Sequence, residues 1–133
     1  MTYSQRRRRV AGELRRRVKV LSIADSRIPR VKIIELGGDG LKVSMDLHSE
    51  LLVFGEGEEL EMIISKNIPS YKEGRDFCAR GVVVNIRGGD RVEKVIISLW
   101  GYLVVLNLED PSLLEGFELQ PTDQIYYCLI KQS

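Results

Sequence analysis

Four apolar residues, Leu41, Val43, Met45 and Leu47, alternate strictly with Lys42, Ser44, Asp46 and His48. In an extended chain successive side chains point to opposite faces, so this spacing makes one dry face and one wet face. Wound into a helix, the same residues would scatter their apolar groups around the axis, so the stretch reads as a strand. A strand needs hydrogen-bonding neighbours along its edges, and a dry face needs a core to lie against. The rest of the chain must supply both.

It does so with further strands. Val18, Val20 and Ile23 begin one that ends near Asp25-Ser26, and Val31 to Leu36 make another. Gly37-Gly38-Asp39-Gly40 then turns the chain, because glycine takes positive φ without a steric penalty. Ser49 to Leu52 reads as a bend or a short turn. Gly55-Glu56-Gly57 opens a strand with Leu60, Met62 and Ile64 on one face and Glu59 and Glu61 on the other. Lys66 to Asp76, broken at Asn67-Ile68-Pro69-Ser70, reads as an irregular polar loop. Phe77 to Ile86 resumes the strand pattern, with Val82, Val84 and Ile86 expected on one face. Arg87-Gly88-Gly89-Asp90 is a hairpin-type turn. Val92 to Trp100 and Tyr102 to Leu108 meet at Gly101, Asp110 to Leu114 makes about one helical turn, and Ile125 to Ile130 is a last strand. Seven or eight short strands at near-regular spacing, with no long amphipathic helix, predict an all-β antiparallel sandwich or barrel. Closure removes exposed strand edges, which favours the barrel.

With 133 residues, 44% of them hydrophobic and 29% charged, the chain suits one soluble globular domain. We divide it into a basic N-terminal arm over 1–17 and a barrel over 18–133. The arm holds Arg6, Arg7, Arg8 and Arg9, then Arg15, Arg16 and Arg17. Such a run is either a solvated tail or a grip for phosphate or an acidic protein surface. Apart from Tyr3 no aromatic interleaves with it, so base stacking is not suggested. The net charge of only +1 argues against a surface wholly given to nucleic acid.

Reactive chemistry finds little to build on. Cys78, Cys128 and the single histidine, His48, are too few soft ligands for a four-ligand zinc site, so no metal is expected. Both cysteines sit in apolar stretches and read as small buried hydrophobes; without a secretory signal a disulfide has no support. No GxxxxGK[ST] loop and no GxSxG elbow occur, and Gly37 to Gly40 lies between strands rather than at a helix N-terminus. Adjacent acids such as Glu58-Glu59 point to opposite faces of a strand and do not pair as catalytic carboxylates. No catalytic residue, cofactor or small-molecule substrate is expected. No run of about 18 apolar residues is present to cross a membrane, and an intracellular, cytoplasmic location is expected.

The C-terminal half contains Ile96-Ile97-Ser98-Leu99-Trp100-Gly101-Tyr102-Leu103-Val104-Val105-Leu106, then Leu114-Glu115-Gly116-Phe117-Glu118-Leu119, then Tyr126-Tyr127-Cys128-Leu129-Ile130-Lys131. This series resembles the closing signature of the eighth common subunit of archaeal and eukaryotic RNA polymerases: an aromatic-glycine pair opening a hydrophobic strand, a Gly-Phe-Glu turn, and a final tyrosine-leucine strand. Leu41 to Leu47, Leu60 to Ser65 and Ser26 to Leu36 resemble the family's central and opening strands, so the likeness runs in order over roughly 18–131. Gly101-Tyr102 stands where eukaryotic members usually show two glycines, and the longer acidic loop they carry before the Phe77 strand is missing. Both departures fit the shorter archaeal version, while the arginine arm has no clear counterpart.

The resemblance implies an OB-like barrel of eight strands that docks on the largest polymerase subunit within the multi-subunit enzyme, supporting assembly and stability while catalysis resides in other subunits. Trp100, Gly101, Tyr102 and Leu103 are the leading partner-binding candidates, because aromatics beside an exposed strand edge supply contact area and invite strand addition. The alternative for Trp100 is a place in the barrel core, and Gly101 suggests a bulge or close backbone approach. Gly116, Phe117 and Glu118 are second candidates. A free-standing OB-type binder of single-stranded nucleic acid is the competing reading, since such barrels combine aromatic platforms with a basic groove.

Overall fold

A computed structural model describes residues 13–114 and 117–132 of the chain. It contains eight strands: β1 (Glu13–Asp25), β2 (Val31–Gly38), β3 (Leu41–His48), β4 (Glu59–Ser65), β5 (Phe77–Arg87), β6 (Lys94–Leu99), β7 (Tyr102–Leu108) and β8 (Gln124–Lys131). Single 3-10 turns lie at Ser49–Leu51 and Pro111–Leu114. Every neighbouring pair is antiparallel, and the strands close in the order β1-β2-β3-β7-β6-β5-β8-β4. The closed antiparallel barrel expected from the strand spacing is what the chain forms.

The alternation of β3 is realised directly. Leu41, Val43, Met45 and Leu47 are buried and their polar neighbours face out. Near the barrel's middle the Tyr127 hydroxyl donates to Met45 Sδ at 3.3 Å, and the Tyr127 ring meets Phe77 edge-on. Burial pushes the Tyr127 phenol well above its ordinary pKa, so it stays neutral. His48 caps the first 3-10 turn, its Nδ1 accepting from the Glu50 N–H at 3.1 Å.

Three expectations change. First, β1 begins at Glu13 and pairs with β4 from there, so Arg15, Arg16 and Arg17 are barrel wall and not part of an arm ending at 17. Arg6, Arg7, Arg8 and Arg9 lie outside the described residues. Second, Val82, Val84 and Ile86 do not share a face. A bulge between Val83 and Asn85 inserts Val84 into the register, so Val82 and Val84 point outward while Ile86 faces Val95 inside. Third, Cys78 and Cys128 are directly opposite across β5 and β8, with Cα atoms 4.0 Å apart, and form a disulfide. Antiparallel pairing places the two side chains side by side, which linear spacing does not reveal.

The connection from β4 to β5 has a topological consequence. Both strands pair with β8, one on each side, and run parallel to each other. The link over 66–76 must therefore cross β8, and the filled core leaves only the outside. It is fastened there: Asp76 accepts from the Lys131 and Lys72 N–H groups at 2.9 Å each, and Arg75 donates to the Lys131 carbonyl at 3.1 Å. Ile63 and Cys128, outward in phase, are nonetheless 1% and 0% exposed.

Candidate partner-docking site

The β6–β7 hairpin turns on two residues, Trp100 and Gly101, with φ of 54° and 101°. Two positive φ values in a two-residue loop match the strand twist, and Asn-Gly or Gly-Gly usually supplies them. Here a tryptophan occupies the first position. An L side chain in the left-handed region crowds its own backbone, at roughly 1–2 kcal/mol. The ring gains no burial in return, for Trp100 is 80% exposed. It overhangs a groove of about 150 Å³ lined by Arg80, Gly81, Val82, Ser98 and Gln124. Gly81 lets β5 and β6 approach closely at the groove, for a Cβ there would stand 2.6 Å from Leu99 Cδ2 and 2.7 Å from the Ser98 carbonyl oxygen.

The four residues of the strip divide. Trp100 is displayed, so the alternative of a place in the barrel core does not hold. Gly101 serves the turn, and nothing approaches it within 4 Å. Tyr102 opposes Leu99 on the inward face and packs against the core, whereas Leu103 points out at 44% exposure. The free edge expected beside them shrinks to the hairpin end, since β7 pairs with β6 along its length and with β3 from Val104 onward. Phe117 is buried in the core and Glu118 is exposed; Gly116 lies outside the described residues.

The basic residues divide. Arg15 pairs with Glu13 and Glu61, and Arg17 pairs with Glu59, so these charges are answered within the β1–β4 wall. Arg16 differs. It shares the inward phase of Leu14 and Val18 yet is exposed, because β2 does not flank β1 before Lys19. It lines a cleft of about 300 Å³ with Lys19, Gly37, Gly38 and Asp39. The Ser112 hydroxyl and N–H hold the Asp110 carboxyl below its ordinary pKa, with weaker help from Arg16 and Arg91.

Sequence reasoning missed the surface beside the hairpin. Val82 and Val84 on β5, Ile96 on β6 and Leu103 and Val105 on β7 are all outward in register. Val82, Val84 and Leu103 are exposed and the other two half-buried. The signal was present in the run Val82-Val83-Val84, but three valines in succession carry no phase.

Among the described residues no group of three or more His, Cys, Asp or Glu is placed to hold a metal ion, and no helix is long and apolar enough to cross a membrane. The class is thus a small, closed, all-antiparallel β-barrel whose most prominent surface feature is a displayed aromatic hairpin. Within that class, the chain belongs to the RpbG family of DNA-directed RNA polymerase subunits, which matches residues 13–132. It is 30% identical over 130 residues to the DNA-directed RNA polymerase subunit Rpo8 of Saccharolobus solfataricus, covering 93% of this chain and 97% of that one. The Rpo8 subunit of Sulfolobus acidocaldarius is 32% identical over 119 residues, covering 86% of this chain and 95% of the relative. Among solved structures, the cytoplasmic molybdate-binding protein ModG aligns over 94% of each chain at 16% identity, with a TM-score of 0.32, too low to bear on fold or ligand.

Proposed function

We propose that this polymerase subunit is a non-catalytic, structural one that docks on the largest subunit and supports assembly and stability of the enzyme, with catalysis residing in other chains. The setting is the cytoplasm of an archaeal cell. The observation that carries the docking role is Trp100, held at a hairpin tip in an unfavourable backbone conformation and 80% exposed. A large aromatic kept in water at conformational cost contributes nothing to the isolated barrel, and aromatic anchors of this kind dominate protein interfaces. Gly101 and Leu103 complete the displayed tip, while Tyr102 braces it from within. The remaining arginine role, contact with nucleic acid or an acidic neighbour, rests with Arg16 and the Arg6 to Arg9 cluster, because Arg15 and Arg17 are already paired.

The test is purification of the tagged full chain from native extract with identification of what accompanies it. The largest polymerase subunit is expected in stoichiometric amount, and Trp100→Ala is expected to reduce its recovery at least tenfold while leaving the free barrel folded, with a melt no lower than the native one. Recovery of the native chain only as a free monomer overturns the reading.

A further inference from the structure

We propose that the outer face of β5, β6 and β7, beyond the hairpin tip, takes a polypeptide surface with an aliphatic centre and carboxylates along one border. The proposal rests on the docking reading and specifies the chemistry of the partner. The face is built in rows by the register. Nearest the tip lie Val82, Ser98 and Leu103; then Asn85, Ile96 and Val105, with Val84 bulging beside them; then Arg87, Lys94, Asn107 and Lys42. The first two rows are mostly aliphatic, and the last is a line of three cations.

None of those three cations has an ion-pair or hydrogen-bond partner for its side chain among the described residues, in contrast to Arg15 and Arg17 on the β1–β4 wall. Neighbouring cations repel, and a row of them left unanswered beside an apolar field is complementary to a surface carrying acids at the same border. From Trp100 to Asn107 the face is about 23 Å long at ~3.3 Å per residue, and three strands at ~4.8 Å make it about 15 Å wide. That is on the order of 350 Å² with the basic row included, below the ~800 Å² per partner of a standard interface. The apolar rows alone reach only to Val105, about 240 Å² on the same spacing, so the basic row supplies about a third of the face.

Nucleic acid fits less well. A single-strand binder stacks bases on aromatic side chains. This face offers valine, isoleucine and leucine, its one aromatic at the tip is Trp100, and Tyr102 turns inward. Phosphates laid along the cations would leave the aliphatic rows facing sugar and solvent.

The experiment reconstitutes the polymerase from its full set of subunits with the native chain, with R87E/K94E, or with Trp100→Ala, and measures retention of the subunit against salt. Thermal melts of each free chain confirm folding. The native chain is expected to lose retention as salt rises. R87E/K94E is expected to lose at least tenfold in retention at low salt and to show a flat or inverted salt dependence. Lys42→Glu, on the neighbouring strand, should repeat the effect on a smaller scale. Reversal variants retained with native salt dependence overturn the proposal; if Trp100→Ala is still lost, docking through the tip stands without it. Retention unchanged with weakened cross-linking to template DNA also overturns it, and assigns the row to phosphate. A native chain that never enters the assembly removes the docking reading itself.

Discussion

Ile63 on β4 and Cys128 on β8 point away from the barrel interior, and so do Val82 and Val84 on β5 and Leu103 on β7. The first two are sealed at 1% and 0% exposure, while the last three stand at 37%, 48% and 44%. The walls have similar chemistry and opposite treatment, and the connections explain the treatment. On the β4–β8 wall the chain must cross β8 to reach β5, so a loop lies outside the barrel and covers what is beneath it. On the β5–β6–β7 wall successive strands are hairpin neighbours, and the β6–β7 link has only Trp100 and Gly101. The link from β7 to β8 also passes β6 and β5, but it turns Leu113 and Phe117 into the core and leaves Val82, Val84 and Leu103 exposed. One wall is covered by the chain itself, and among the described residues the other is left exposed.

The largest effect should come from breaking the sealed wall at its covalent tie. Cys78 and Cys128 are 50 residues apart in sequence. Closing a loop of that size restricts the unfolded chain by about 4 kcal/mol in the entropy account. The C78A/C128A double variant should lose stability of that order, seen as a fall of roughly 10–20 °C in Tm. Reducing agent should bring the native protein to the same value. An unchanged melt under reduction would show that the link does not hold this wall. Thiol titration of the unfolded, unreduced chain should find no free cysteine.

Truncations compare the walls directly. Ile63→Ala opens a hole under the crossover and should cost about 2–4 kcal/mol. Leu103→Ala deletes as many carbons from the open wall, yet in the isolated chain it should change stability by no more than about 0.5 kcal/mol. Urea unfolding of both decides the matter. Equal costs would mean that the β5–β6–β7 wall is packed in the free protein, and the contrast would fail. Trp100→Asn goes the other way. Asparagine tolerates the left-handed region, so the variant should gain about 0.5–1 kcal/mol while losing incorporation into the polymerase. A gain in stability coupled to a loss of assembly separates a displayed anchor from a merely tolerated residue.

How much of this was legible in the sequence depended on phase. Leu41 to Leu47 and Leu60 to Ile64 alternate cleanly, so their inward faces could be read without a structure. Val82 to Ile86 could not, because the bulge at Val84 shifts the period and the valine run hides the shift. The disulfide depends on the register of β5 against β8, a relation between residues far apart that no local pattern encodes. The Trp100-Gly101 pair was visible as an aromatic beside a glycine, but its exposure was not. Only the short turn, with both φ positive, fixes the ring outside the barrel. Arg16 was read as part of the arm, because its place in β1 depends on pairing with β4; there it takes the inward phase, and β2 ends too soon to bury it.

The smallest effect concerns how the covering loop is fastened at its start. Lys66 donates to the Asp123 carboxylate at 3.1 Å, and Asp123 also accepts from the Gln120 N–H at 2.8 Å. The Gln120 bond and then Lys66 hold the Asp123 carboxyl below its ordinary pKa. The folded protein therefore binds this proton less readily than the unfolded chain does. Its contribution is complete above the unfolded carboxylate pKa and is lost as pH falls through the lower, folded value. Asp123→Asn should melt slightly below the native protein at neutral pH, and the gap should close as pH falls below the ordinary carboxylate range. Water reaches this ion pair, so the gap should also shrink with salt. Parallel melting curves across the whole pH range would mean that this ion pair fastens nothing, and that Asp76 carries the crossover's attachment through its bonds to Lys72 and Lys131.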